Sequence, residues 1–331
     1  MPHPKRSEPS VAGWRRLYEA ALKFRDQAPW LRFTDADLFS VEMPETGESA
    51  YCAVMGAAGL EYGLLAHRGP SGLLAYSLMV EAAVDRDEVL LIQDGVSFSL
   101  VDRQYLDDAD RAVHALLGLR FRGRGAWPLF RRHRPNLLPS RLEIGDVEFL
   151  ATCLEQTCLL AGDASAGSLP MDAGEGRVVV RRRDGNGSWE TATVSLPPLH
   201  LEVAFDRARL ERARRRFRLV AQHWEVRLLA LVPLAGEKGE PAFWGRMLLC
   251  VDRESGFILP CNVLDPADSV QDAFLGAIEG AGIIPETLSL TSLLLEQQLR
   301  PVAAALEIKL QLVAKLPELD AAATALKTRF G

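Results

Sequence analysis

Between Arg111 and Leu142 the chain has no acidic residue at all, while arginines stand at 111, 120, 122, 124, 131, 132, 134 and 141. The gap is notable because the formal net charge is −6, a balance that argues against a general polyanion binder. Lysine is scarce, six residues against thirty-two arginines. A genome rich in G and C favours arginine by itself, so the clustering carries information and the ratio does not. Cysteines number five, scattered and without a C-x-x-C pair, which excludes a disulfide framework and a thiolate zinc site as the organising element. Long apolar runs are missing too, and with them a membrane-spanning helix. The first ten residues, Met1 to Ser10, lack the apolar core of a signal peptide, so the expected location is the cytoplasm. A phosphate loop of the G-x-x-x-x-G-K-[ST] type, a G-x-S-x-G elbow and an H-x-x-x-H pair are all absent.

What is present, 48% apolar and 25% charged residues over 331 positions, suffices for two cores. Trp14, Leu17, Tyr18, Ala21 and Leu22 repeat at helical spacing ahead of Pro29. A meander follows, with strands at 37–42, 50–55 and 60–67 separated by glycine-bearing turns, and then a helix from Ser71 to Ala83. Strands are expected at 89–92 and 96–101, and Val147, Leu150, Leu154, Cys158 and Ala161 mark one helix face. These elements predict an α+β domain over 12–161. The Gly/Ser/Asp-rich stretch 162–176 reads as a linker or surface loop.

The third segment, 177–331, opens with a hairpin around Asp184-Gly-Asn-Gly187 and an arginine-rich helix over 206–221 that turns Leu210, Ala213, Phe217 and Val220 inward. Strands are then expected at 226–231, 246–251 and 257–263, a helix at 269–281, a strand at 288–291, a helix at 294–306, a strand at 308–313 and a helix beginning at Pro317. Strand-helix-strand connections imply parallel crossovers, so this part predicts an α/β domain with a mixed sheet and ribonuclease-H-like element order.

Three runs carry a resemblance: Phe39-Ser-Val-Glu-Met-Pro-Glu-Thr-Gly-Glu-Ser-Ala-Tyr-Cys-Ala-Val-Met-Gly56, Leu119-Arg-Phe-Arg-Gly-Arg-Gly-Ala-Trp-Pro-Leu-Phe-Arg131, and Arg246-Met-Leu-Leu-Cys-Val-Asp-Arg-Glu-Ser-Gly-Phe-Ile-Leu259. Together they make the chain similar to a bacterial two-domain family of unknown function, from about Trp14 to Leu326. Relatives with a similar second domain sometimes carry a cysteine/histidine zinc motif like that at the tail of the SecA translocase. No such motif stands in this sequence, so the resemblance implies neither a metal nor an activity.

An active ribonuclease-H-like enzyme holds two divalent ions between carboxylates on its first and fourth strands, because the attacking and leaving phosphate oxygens each need a cation. Here the expected middle of the first strand is Leu228-Leu-Ala-Leu231 and the fourth ends at Thr291. The remaining catalytic candidates are Asp252, Asp265, Glu279 and Asp320, and each reads more simply as a turn, cap or solvated residue. The segment 119–135 offers a second candidate, in which Arg120, Arg122, Arg124, Arg131, Arg132 and Arg134 grip phosphates while Trp127 stacks on a base. Its competing reading is a half-buried strand with Phe121 inward and Arg120, Arg122 and Arg124 outward. The preferred expectation is a non-catalytic accessory or interaction protein, with a protein partner, no cofactor, no metal and no membrane. A nucleic-acid binder using 119–135 comes second, and a hydrolase with carboxylates assembled in space comes third.

Overall fold

The computed structural model describes residues 8–34, 36–80, 88, 91–165, 176–199, 203–234, 241–260 and 262–330. The chain folds into two compact units. Residues 1–76, 92–134 and 139–199 form the first, and 77–91, 135–138 and 200–331 the second. No described helix is long and apolar enough to cross a membrane.

In the first unit, strands β1 (Phe39–Glu42), β2 (Ser49–Met55), β3 (Tyr62–Arg68), β4 (Gly95–Val101), β5 (Trp127–His133), β6 (Arg177–Arg183) and β7 (Trp189–Ser195) form one sheet in the order β5-β4-β3-β2-β1-β6-β7. Residues of period two divide its faces. Phe39, Val41, Cys52, Val54, Leu64, Ala66, Val96, Phe98 and Phe130 face the main core, where helices α1 (Val11–Gln27) and α4 (Ile144–Ser165) supply Leu17, Phe24, Leu150 and Leu154. Tyr51 and Ala53 point the other way and meet Leu73 and Tyr76 of helix α2 (Gly69–Val80). Helix α1 begins where the Ser10 hydroxyl accepts the Gly13 N–H, at 3.0 Å, and stops where Ala28 turns left-handed before Pro29. A short helix, α3 (Asp108–Leu117), is closed at its start by a reciprocal Asp107/Asp110 capping box.

Asp146 joins these parts. Its Oδ2 accepts the Glu143 N–H at the start of α4, at 3.0 Å, while Oδ1 takes Arg68 Nη1 of β3 at 2.9 Å and faces Arg132 Nε of β5 at 3.3 Å. Arg132 also contacts Asp94 at 2.6 Å, and Arg68 pairs with Glu48 at 2.9 Å. Alternation puts Arg132 on the same face as Phe130, so its guanidinium can be buried only with these partners beside it.

In the second unit, β8 (Leu219–Leu234), β9 (Phe243–Asp252), β10 (Val263–Leu264), β11 (Ile284–Leu290) and β12 (Lys309–Leu312) follow the order β10-β9-β8-β11-β12. The pairs β10/β9 and β9/β8 are antiparallel, and β8/β11 and β11/β12 are parallel. Helices α5 (Arg207–Arg216), α6 (Val270–Ala281) and α7 (Leu293–Ala305) pack with Trp224, Val226, Leu248, Cys250, Leu288 and Leu290 in one core. Helix α8 (Pro317–Phe330) sends Leu319 to the opposite face, against Leu249 and Val251.

Several expectations are corrected. The hairpin 177–195 belongs to the first sheet, where β6 pairs in parallel with β1. Val178, Val179 and Val180 are buried on both faces, which a strand achieves only inside a sheet. The basic stretch 119–124 is not a strand. Gly123 and Gly125 have φ of +97° and +59°, which break extension, and pairing starts at Trp127. Pro128 is accommodated because β5 is an edge. Leu91 and Ile92 are helical, and Val89 lies outside the described residues. The arginine helix ends at Arg216, because parallel pairing of Leu219 and Val220 with Ile284 and Pro285 takes the chain into a strand, and Val220 is exposed. The expected third strand shortens to Val263–Leu264, with Ile258 in a single bridge to Val251. Of the expected linker, 162–165 complete α4 and 166–175 lie outside the described residues. Cys52, Cys153, Cys158 and Cys250 are buried and not in disulfides, as small core hydrophobes are, and Cys261 lies outside the described residues.

Two outcomes test this account. Asp146→Ala leaves two largely buried guanidiniums short of a counter-charge and should cost about 3–5 kcal/mol in denaturant unfolding, with Asp146→Asn, which keeps a cap acceptor, falling between it and the parent. His67 is 1% exposed, and neither of its ring nitrogens has a partner among the described residues. Burial lowers its pKa from 6.5 to about 4, and burial likewise holds His133 at about 4. The unfolded chain therefore binds more protons between those values, so stability is full above pH 6.5 and falls as pH drops toward 4, by about 3 kcal/mol for His67. His67→Phe should flatten that slope while leaving stability at pH 7.5 equal or higher, measured by urea unfolding across the range.

Candidate functional site

The long first strand of the second sheet places an acid where the sequence reading expects none. Because β8 starts at Leu219 and its regular pairing runs to Ala230, where the register shifts, the centre of the paired stretch is Trp224 and Glu225 and not the Leu228 to Leu231 run. Glu225 is 1% exposed and lies directly across from Ser289 of β11 and Val251 of β9. Its carboxylate accepts the Leu319 N–H in the first turn of α8 at 2.9 Å, where the helix dipole favours negative charge. Arg253 Nε stands 3.9 Å from its other oxygen.

His223, two residues earlier on the same face, contacts the buried Ser289 hydroxyl through Nε2 at 2.7 Å, and its Nδ1 faces Arg253 Nη1 at 3.3 Å. A serine-histidine pair at this distance invites a nucleophile reading. The protons decide against it. Arginine can only donate, so Nδ1 must be the acceptor, the ring proton sits on Nε2, and Ser289 receives a hydrogen bond from the histidine. A general base needs the opposite tautomer. Burial and the adjacent Arg253 both lower the His223 pKa, which keeps the ring neutral.

The four carboxylates singled out from sequence do not come together. Asp252 pairs across the ladder with Trp224, so strand alternation directs it to the face opposite Glu225. Its Oδ1 accepts the Ser255 N–H at 2.8 Å and the Ser255 hydroxyl at 2.5 Å, the pattern of a turn residue. Asp265 is exposed, and its N–H donates to Asp268 at 2.8 Å within a turn. Glu279, on α6, receives both Nε and Nη2 of Arg209, at 3.1 and 2.6 Å, and that bonding holds its carboxyl below the usual range. Asp320, on α8 at the opposite face of the sheet, pairs with Arg227 at 2.7 Å. Among the described residues no group of three His, Cys, Asp or Glu is arranged to hold a metal ion.

The arginine segment of the first unit divides in two. Arg131 is held by Asp110 at 2.7 Å, Arg132 by Asp94 and Asp146, and Arg134 by Glu143 at 2.9 Å. The absence of acids within 111–142 is thus compensated in space by acids from α3, α4 and the turn before β4. Arg120 and Arg122 remain exposed, and Arg124, 96% exposed, is 3.7 Å from Asp102. Trp127 is half-buried against Phe121 and His114, an anchor to the core rather than a free stacking ring.

Glu225 and His223 are the polar residues at the centre of this sheet that sequence reading does not single out. The signal available for Glu225 is the lone carboxylate of its strand, set between the apolar Trp224 and Val226, where a buried charge needs a specific partner.

Comparison with curated proteins returned no match. Residues 209–327 match the family model of the domain of unknown function DUF6930, which covers most of the second unit. Residues 14–181, just over half the chain, match a second such model, and on that match the protein belongs to the family of the domain of unknown function DUF7309.

Proposed function

We propose that this protein is a non-catalytic accessory or recognition protein, and that its second unit is a ribonuclease-H-like domain whose acidic centre has a structural role. The sheet order supports the fold reading. Counted along the chain within that sheet, the strands run three-two-one-four-five, with antiparallel pairing among the first three and parallel pairing from the first to the fourth and the fourth to the fifth.

One observation carries the functional reading. The carboxylate at the middle of the first strand, Glu225, is committed to the Leu319 N–H, and the residue across from it on the fourth strand is Ser289. Two-metal phosphate chemistry requires a second carboxylate at that position. The remaining acids are engaged in turns and ion pairs on both faces of the sheet, which disfavours a hydrolase assembled in space. What is left to this domain is its surface, and a surface recognises.

Incubation of the protein with Mg²⁺ or Mn²⁺ and single-stranded, duplex or hybrid nucleic acid should give no cleavage above background. Cleavage that disappears in Glu225→Gln or Asp252→Asn would overturn the reading. Glu225→Ala should instead appear as lost stability, about 1–3 kcal/mol from the unsatisfied Leu319 N–H and the freed charge partner, measured by denaturant unfolding.

A further inference from the structure

A cleft of about 680 Å³ opens on the first unit, lined by Asp102, Arg103, Gln104, Arg111, Gly123 and Arg124. We propose that it binds a small phosphorylated anion of nucleotide size. This inference is independent of the reading of the second unit.

Three guanidiniums reach the cleft from three different elements: Arg103 from the turn after β4, Arg111 from α3 and Arg124 from the loop before β5. Arg103 is steadied over the Trp127 ring, 5.9 Å from its centroid, and Arg111 is anchored by donating to the Leu106 carbonyl at 2.5 Å. Against them stands one lining carboxylate, Asp102, whose Oδ1 is already engaged by the Gly125 N–H at 2.6 Å. The competing ion pairs are weak. Arg111 pairs with Asp108, whose side chain is fully exposed, and Arg124 is 3.7 Å from Asp102 with 96% of its side chain in solvent. Exposed pairs of this kind contribute little, whereas a phosphate offers arginine charge-assisted, bidentate bonds. The cleft therefore gains more from an incoming anion than it gives up.

Backbone and size narrow the ligand. Gly123, which lines the cleft, adopts φ of +97°, and a Cβ added there would meet nothing within 4 Å, so the loop presents open backbone at this point beside the arginines. Arg120 and Arg122, exposed on the same loop, add to the positive field. The depression, about 680 Å³ and largely open to solvent, suits a small anion gripped from one side. A nucleic-acid strand would need the positive track to continue along β5, and there Arg131, Arg132 and Arg134 are locked to Asp110, Asp94, Asp146 and Glu143. Tyr105 is not a lining residue, but it follows the lining residues Arg103 and Gln104 in the same turn and is 63% exposed, and we assign the base of a nucleotide to its ring.

Titration calorimetry of the full chain with inorganic triphosphate, ATP and a single-stranded oligonucleotide, at about 50 mM salt where screening is modest, tests the proposal. Saturable binding of triphosphate is expected, with ATP equal or tighter. Arg103→Ala combined with Arg124→Ala should weaken both by at least about tenfold at an unchanged melting temperature. Arg182→Ala, which removes an exposed pair with Glu190 on the β6/β7 hairpin, should leave both unchanged. Triphosphate binding without a preference for ATP retains the anion site and removes the base from it. No saturable binding of either small anion, binding indifferent to the double variant, or an oligonucleotide bound far more tightly through the same arginines would each overturn the proposal.

Discussion

The first unit depends on a single buried carboxylate. Asp146 caps α4 with one oxygen and with the other meets arginines from β3 and from β5, so one side chain fixes the helix start against two strands. The constraint is electrostatic. Arg132 projects into the core face because strand alternation leaves it no alternative, and a guanidinium there is tolerable only beside Asp146 and Asp94. The same constraint explains the lopsided charge of the sequence. The acid-free segment can be strongly basic in part because the fold brings carboxylates to it from elsewhere, so that Arg131, Arg132 and Arg134, one end of what looks like a polyanion track in one dimension, become an ion-pair network in three, while Arg120, Arg122 and Arg124 stay exposed.

Much of the architecture was legible from residue pattern. The meander β1 to β3, the helix faces of α1 and α4, and the alternation of strands and helices after Trp224 all follow from periodicity and turn residues. The misplacements share a cause, namely that pairing partners distant in sequence decided the outcome. The hairpin β6/β7 reads locally as a unit of its own, yet its Val-rich strand is claimed by the open edge of β1. The arginine helix has a helical pattern through Ala221, but pairing with β11 captures Leu219 and Val220. Neither signal is contained in a window of ten residues.

The candidate site was legible only in its absences. With an expected start at Val226 the first strand has its centre beyond Glu225, so the apolar pattern alone does not single out the acid there. Position along the chain could suggest that Asp252, Asp265, Glu279 and Asp320 are turn, cap or solvated residues; in the structure Asp252 stands in a turn but is buried, and Asp265, Glu279 and Asp320 are exposed. It could not say which tautomer His223 adopts, because that follows from Arg253 arriving at Nδ1 from the turn after β9. Nor could it sort the arginines of 119–135 into locked and available ones, since each partner lies outside the segment.

The parallel pairing of Phe39, Ser40 and Val41 with Val179, Val180 and Arg181 also sets an order of events. During synthesis the meander emerges long before β6, so β1 has a bare edge, rich in apolar groups and lacking a hydrogen-bonding neighbour, until the chain has passed Arg183. A pairing this distant in sequence is slow to form, which makes the N-terminal unit the late-completing part of its own fold. A chain cut before Arg177, although it contains α1, α4 and strands β1 to β5, would lack Val179 from the core, expose that edge permanently and offer it to another copy of itself.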